Sequence, residues 1–288
     1  MNHFKSVALA TLTVMSLLSC KKEINHSISN ESKGSVKNPI PTEKAVSVVW
    51  GVGLDNRVYK WNGSTWDEPN PSASLKSISV GQDNSGAVWG LGTDNRIYKW
   101  NAATNVWTEP APGFGLTQIT AYSANVAWGI GTTNNALYKT TNGGATWALQ
   151  TKSGIPFYGG AQNLISISTM DGVSLVAITE GKKAYKLMTS STSWTPISPI
   201  AGQPNFLSIS GSPSVCWAVG TDYKVYRFNG MSWSQPNPAA GLYRLSMSDE
   251  EVVWGIGGGG RVFKWNPTTN IWDEPNPAAG LNQVSSGN

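Results

Sequence analysis

Histidine is missing from residues 45–288: the two in the chain, His3 and His26, both precede that stretch. Its absence excludes most zinc sites, every Ser–His and Cys–His catalytic pair and the commonest general base. Charge is scarce, at 13% of residues, and unevenly placed. Lys5, Lys21, Lys22, Lys33, Lys37 and Lys44 against Glu23, Glu31 and Glu43 supply +3 of the net +4. The near-neutral remainder gives no electrostatic footprint for nucleic acid, so no nucleic-acid partner is expected. The main apolar run, Val7–Leu18, is short for a membrane span. Turn formers and indoles are plentiful instead, with 31 Gly, 16 Pro and 14 Trp. Many turns, many indoles and few charges argue for an all-β chain and against helical bundles.

The N-terminus reads as an address. Lys5 precedes an apolar run of signal-peptide length. The run ends in Leu17-Leu18-Ser19-Cys20, which resembles the lipobox of bacterial lipoproteins. The resemblance implies removal of residues 1–19 and lipidation of Cys20. Several acyl chains would anchor stably, at about 0.8 kcal/mol per buried CH₂. The expected location is the bacterial cell envelope, on the periplasmic or the exposed side of an outer membrane. An ordinary signal peptide is the plainer alternative. Residues 20–44 then hold the lipidated Cys20 and a polar, aperiodic tether with a reach of about 25–30 Å. Cys216, left without a partner, reads as a small buried hydrophobe beside Trp217.

Residues 45–288 are one unit repeated six times. VVWGVGLDNRVYKWNGSTWDEPNP (48–71), AVWGLGTDNRIYKWNAATNVWTEPAPG (87–113) and VVWGIGGGGRVFKWNPTTNIWDEPNPAAG (252–280) set the pattern. Copies near 126–147 and 216–241 follow it, and one at 175–198 is worn. Three aromatic columns fix the register. The first is Trp50, Trp89, Trp128, Trp217 and Trp254, with Val176 in the worn copy. The second is Tyr59, Tyr98, Tyr138, Tyr185, Tyr226 and Phe263; the third is Trp66, Trp107, Trp147, Trp194, Trp233 and Trp272. Each unit holds four short extended runs, A (LKSIS and its relatives), B (VWG), C (IYKW) and D (WxEP). Their apolar residues fall on both faces, as in strands covered on both sides. A repeat of about 41 residues lies in the propeller range. The expectation is a six-bladed β-propeller of four-stranded blades. The chain enters at a B strand and leaves on the A strand LNQVS (281–285). The C-terminal strand should therefore complete the N-terminal blade and remove the open edge.

Alternating strand direction puts the B–C turns and D–A connectors on one face. Polar residues recur there: Asp55, Asn56 and Arg57; Asp94, Asn95 and Arg96; Asp222; Arg261; and, in the connectors, Glu68, Asn70, Glu109, Asn237, Glu274 and Asn276. Acids, amides and Arg beside indoles suit a sugar, whose hydroxyls take bidentate hydrogen bonds and whose apolar face lies on an aromatic ring. These are the candidate carbohydrate-binding residues. Turn chemistry accounts for Asp-Asn and Pro equally well. Arg is no turn former, and the third-column indoles fit simple blade-on-blade packing.

The combination VWG-x-x-x-D-x-x-x-Y-K-W with W-x-E-P resembles the tectonin repeat and covers nearly all of residues 46–287. The resemblance implies a six-bladed lectin that recognises lipopolysaccharide or modified, O-methylated glycans at several weak sites around the ring, with avidity. Val176, Ala177, Lys182 and Lys183 depart from the pattern, so the worn blade is expected to lack a site. Thr140–Trp147 resembles the Asp-box of sialidases, with Asn142 in place of Asp; in that family the box is structural. No catalytic residue, metal or cofactor is expected, and the partners expected are glycans for a monomer held to the membrane by lipid alone. A protein-binding scaffold and, third, a glycosidase remain as alternatives. The insertion Thr151–Gln162, with Phe157 and Tyr158, is the best place for a singular site, and a padded loop explains it equally well.

Overall fold

The chain forms two units, Met1–Glu43 and Lys44–Asn288. The computed structural model describes residues 47–133, 135–154, 163–197 and 200–288. The signal peptide, Cys20, the tether and most of the Thr151–Gln162 insertion lie outside the described residues.

Six antiparallel four-stranded sheets make up the second unit, the arrangement of a six-bladed β-propeller. Blades 2 to 6 follow the chain in A-B-C-D order, at 75–108, 116–150, 164–196, 206–234 and 242–273. Blade 1 is composite. Its B, C and D strands are Val48–Gly53, Val58–Trp61 and Trp66–Asp67, and its A strand is Leu281–Gly287. Trp50 stands opposite Ser285 in that closing pair. The expected closure by the C-terminal strand is therefore present.

The repeat residues have distinct jobs. B strands are buried along their length because blades cover both faces. The Gly of VWG makes room for the first A-strand Leu: a Cβ on Gly51 or Gly90 would stand 2.4 Å from Leu281 or Leu75. First-column indoles meet third-column indoles of the next blade nearly edge to face. Trp50–Trp107, Trp89–Trp147, Trp217–Trp272 and Trp254–Trp66 have centroids 6.2, 6.1, 6.0 and 6.3 Å apart. Trp128 and Trp194 share the core between blades 3 and 4. Trp233 packs against the core around Val176, the residue that replaces the column Trp in blade 4. The third column is thus blade-on-blade packing, each aromatic pair adding about 0.5–1.5 kcal/mol beyond its burial.

Two further columns, one of cations and one of hydroxyls, emerge in the structure. The Lys of Y-K-W lies directly across from the first-column Trp, as in Trp50 opposite Lys60 and Trp254 opposite Lys264. The cation covers the indole face at 5.9, 4.7, 4.5 and 5.7 Å for Lys60, Lys99, Lys139 and Lys264, and Arg227 does so at 5.8 Å. Burial pushes the Lys99 and Lys139 ammonium groups below their usual range.

A column of hydroxyls closes the axis. The inner edge of an A strand has no strand partner, and its N–H groups need acceptors. A hydroxyl from the preceding blade supplies one each time. Ala121 N–H donates to Ser79 at 2.8 Å, Thr169 to Thr120 at 3.2 Å and Gly211 to Ser168 at 3.1 Å. Met247 donates to Ser210 at 3.0 Å, Ser286 to Ser246 at 2.9 Å and Val80 to Ser285 at 3.0 Å. Six side chains from six blades form an unbroken ring.

Candidate functional site

The B–C turns are built by their Asp and Asn residues. Asp55, Asp94 and Asp222 each accept a hydrogen bond from the backbone N–H two residues on, at 3.0, 3.1 and 3.1 Å. This is the Asx turn. The next residue is left-handed, with φ of 64° at Asn56, 70° at Asn95 and 62° at Tyr223. Its carbonyl accepts from the first A-strand residue of the following blade, Leu75, Leu116 or Leu242. Asn56 and Asn95 thus hold the blades together through their backbones. The Asn95 side chain also accepts from Lys76 Nζ.

Acids surround the rim arginines. Arg57 Nη1 lies 3.3 Å from Glu68, and its Nε is 3.7 Å from Asp55. Arg96 lies 3.3 Å from both Glu109 and Asp94. Arg261 grips Glu274 through two nitrogens, one at 2.7 Å. The bidentate bond holds the Glu274 carboxyl below the usual range. Tyr59 donates to Asp55 at 3.2 Å and Tyr226 to Asp222 at 2.9 Å. Burial first, and then the adjacent aspartate, raises both phenols above their ordinary value. The structure therefore brings Asp55, Arg57, Glu68 and Tyr59 together, repeats the acids and Arg with Asp94, Arg96 and Glu109, and leaves Asp222 beside Tyr226 and Lys224.

The connector asparagines do something else. Asn70 Nδ2 donates to the Asn105 carbonyl of blade 2 at 2.9 Å, and Asn237 Nδ2 to the Asn270 carbonyl of blade 6 at 3.2 Å. Asn105 and Asn270 both have a φ of 54° in long C–D turns. Asn276 faces blade 1, where two fewer residues separate Trp61 from Trp66 than separate Trp100 from Trp107. Its side-chain oxygen caps Ala278 N–H at 3.1 Å. A cavity of about 270 Å³ opens beside it, lined by Tyr59, Thr65, Trp66, Asn276, the connector residues Ala278 to Gly280 and Leu281 at the start of the A strand.

In blade 3, Asn142 accepts from Thr146 N–H at 3.1 Å and from the Thr140 hydroxyl at 3.0 Å, bracing the C–D hairpin. Cys216 is buried and free, and burial pushes its thiol well above the usual range. No group of three His, Cys, Asp or Glu that could hold a metal occurs among the described residues, nor does any helix there have the length and apolarity to cross a membrane.

A family model for the tectonin domain matches residues 42–203. No curated protein sequence matches the chain. Among solved structures, YCF48 from Cyanidioschyzon merolae is 17% identical, with a TM-score of 0.49 over 85% of this chain and 88% of that one. YCF48 bound to D1 peptide is 16% identical, with a TM-score of 0.50 over 82% and 77%. A protein of unknown function from Bacteroides thetaiotaomicron is 12% identical, with a TM-score of 0.56 over 82% and 66%. At these identities the likeness is one of fold.

Proposed function

The chain belongs to the tectonin domain family, and from that premise we propose that it is a non-catalytic propeller that binds glycans on the face carrying its B–C turns. The cavity between blades 6 and 1 carries the reading. It offers the Trp66 indole to the apolar face of a sugar, and the Tyr59 and Thr65 hydroxyls and the Asn276 amide to its hydroxyls. Tyr59 links it through Asp55 to Arg57 and Glu68, so a fixed guanidinium stands beside the opening. The Arg96 and Arg261 clusters supply weaker copies around the ring, and a multivalent surface such as lipopolysaccharide or a modified, O-methylated glycan would be held by avidity. The absence of catalysis is favoured by the rim glutamates, each committed to an arginine. Lipidation of Cys20 would place this face in the bacterial envelope.

A glycan array with the purified chain, including lipopolysaccharides and O-methylated sugars, tests the reading. Binding to one class, competed by free sugar and weakened by Asn276→Ala, supports it; binding indifferent to that change removes the cavity from it. A second reading, a protein-binding scaffold, is favoured by Tyr223 and Tyr243, both 48% exposed and packed edge to face at 5.0 Å on the same side. YCF48, a propeller of similar fold, is solved with a peptide bound. A blank array followed by capture of one envelope protein, lost on changing both tyrosines to serine, would favour it.

A further inference from the structure

The axis of the propeller encloses a channel of about 540 Å³, lined by the six A strands. Among the described residues its lining includes two cations, Lys76 and Arg244, and no acid. One layer consists of Ser77, Gln118, Ser166, Ser208, Arg244 and Gln283, the third residue of each A strand. The hydroxyl ring forms the next layer.

Arg244 is exceptional. The other four arginines of the propeller each meet a carboxylate: Arg57 Glu68, Arg96 Glu109, Arg227 Glu250 and Arg261 Glu274. Arg244 has no such partner among the described residues. The channel wets its guanidinium, but protein encircles it, and that enclosure alone holds the group below its usual range. Lys76, at the same mouth, has Asp94 within electrostatic reach and donates to Asn95.

The hydroxyl ring strengthens the bias. Each of its oxygens accepts from a backbone N–H, which leaves the hydroxyl protons of Ser79, Thr120, Ser168, Ser210 and Ser285 without an acceptor among the described residues. A passage with hydroxyl protons to offer, a guanidinium that meets no carboxylate, and no acid among its described lining residues, is complementary to an oxyanion.

We infer that the axial channel is a second binding site, taking a small molecule that carries a carboxylate, sulfate or phosphate group, with Arg244 as its anchor. The volume suits a molecule of monosaccharide size. The inference does not rest on glycan binding at the rim.

Calorimetric titration of the full chain in detergent, at constant ionic strength with chloride as the reference anion, tests it with sulfate, phosphate and glucuronate as probes and glucose as the neutral control. Saturable binding of at least one anion at one site per chain is expected, with none of glucose. Arg244→Gln should weaken it on the order of ten- to a hundred-fold, the loss of one charged hydrogen bond. Arg244→Lys should retain part of it. Ser208→Glu, which puts a carboxylate in the same layer one blade away, should abolish binding in a chain that melts normally; it decides the matter if Arg244→Gln does not fold. No saturable binding of any of the three anions, or equal affinity in Arg244→Gln and Ser208→Glu, would overturn the assignment.

Discussion

The seams on either side of blade 1 are built from the same parts and differ at one turn. Between blades 1 and 2, Trp50 meets Trp107 and the connector Ala73 packs behind them; between blades 6 and 1, Trp254 meets Trp66 and Ala279 takes that place. Both are crossed by a Pro-Asn-Pro connector. In the first, the long C–D turn of blade 2 presents the carbonyl of Asn105, and Asn70 latches onto it. In the second, the shorter turn of blade 1 has no such residue, and the seam stays open beside Asn276. The seam between blades 5 and 6, with Asn237 latched to Asn270, repeats the sealed form. Two residues in a hairpin thus separate a joint from a candidate binding site, while the aromatic columns are the same in both.

The most severe way to break the comparison is to end the chain at Gly280. That removes the strand paired with Val48–Gly53, together with Gln283 and Ser285, which hold Ile78 and Val80 of blade 2, so both seams should fail at once. Thermal melting followed by circular dichroism should show no cooperative transition. Next comes Ser285→Ala, which leaves the buried Val80 N–H unpaired and should lower stability by about 1–3 kcal/mol in urea unfolding. Ser168→Ala should cost the same at the far side of the ring, and a zero cost at both would show that the ring seals nothing. Asn70→Ala should lose about 1 kcal/mol more than Asn276→Ala, which gives up only its local cap on Ala278 and should bind glycan less well. Grafting the long turn of blade 2 onto blade 1 sharpens the contrast. It should recover about 0.5–1.5 kcal/mol through a new latch and remove glycan binding at that seam. The smallest effect concerns acid. The hydrogen bond from Arg261 holds the folded-state titration of Glu274 below its ordinary range, so the pair's contribution is present above the ordinary glutamate value, near pH 4.3, and is lost as pH falls through the lower folded value. Melting curves of Glu274→Gln and the parent should differ slightly at neutral pH and converge in acid, because the Arg261 side of the pair is open to solvent.

Blades, columns and closure were legible because each is a local pattern copied along the chain, and six copies average out the worn one. What escaped were the contacts between copies. The Ser or Thr at the fifth position of every A strand, from Ser79 to Ser285, recurs in all six repeats, but a hydroxyl in a strand carries no sign that its acceptor role faces the next blade. The rim arginines could have been decoded further. Arg57, Arg96 and Arg261 occur in the blades that carry Glu68, Glu109 and Glu274, whereas blade 5 has Lys224 with Gln235, so the repeats themselves co-vary. Asn70, Asn237 and Asn276 look equivalent in sequence, and only the length of a neighbouring turn tells the third apart.

The composite blade also sets a clock on biosynthesis. Val48 leaves the ribosome long before Gly287, its partner in the sheet. At about 5–20 residues per second, the first blade waits on the order of ten to fifty seconds with one flank bare while five complete blades form behind it. During that interval the nascent chain presents a three-stranded sheet with an open, apolar B strand, the kind of edge that recruits strands from other molecules. The same strand exchange that finishes one ring can join two chains, so crowded synthesis should favour strand-swapped dimers over unfolded protein as the characteristic failure of this architecture.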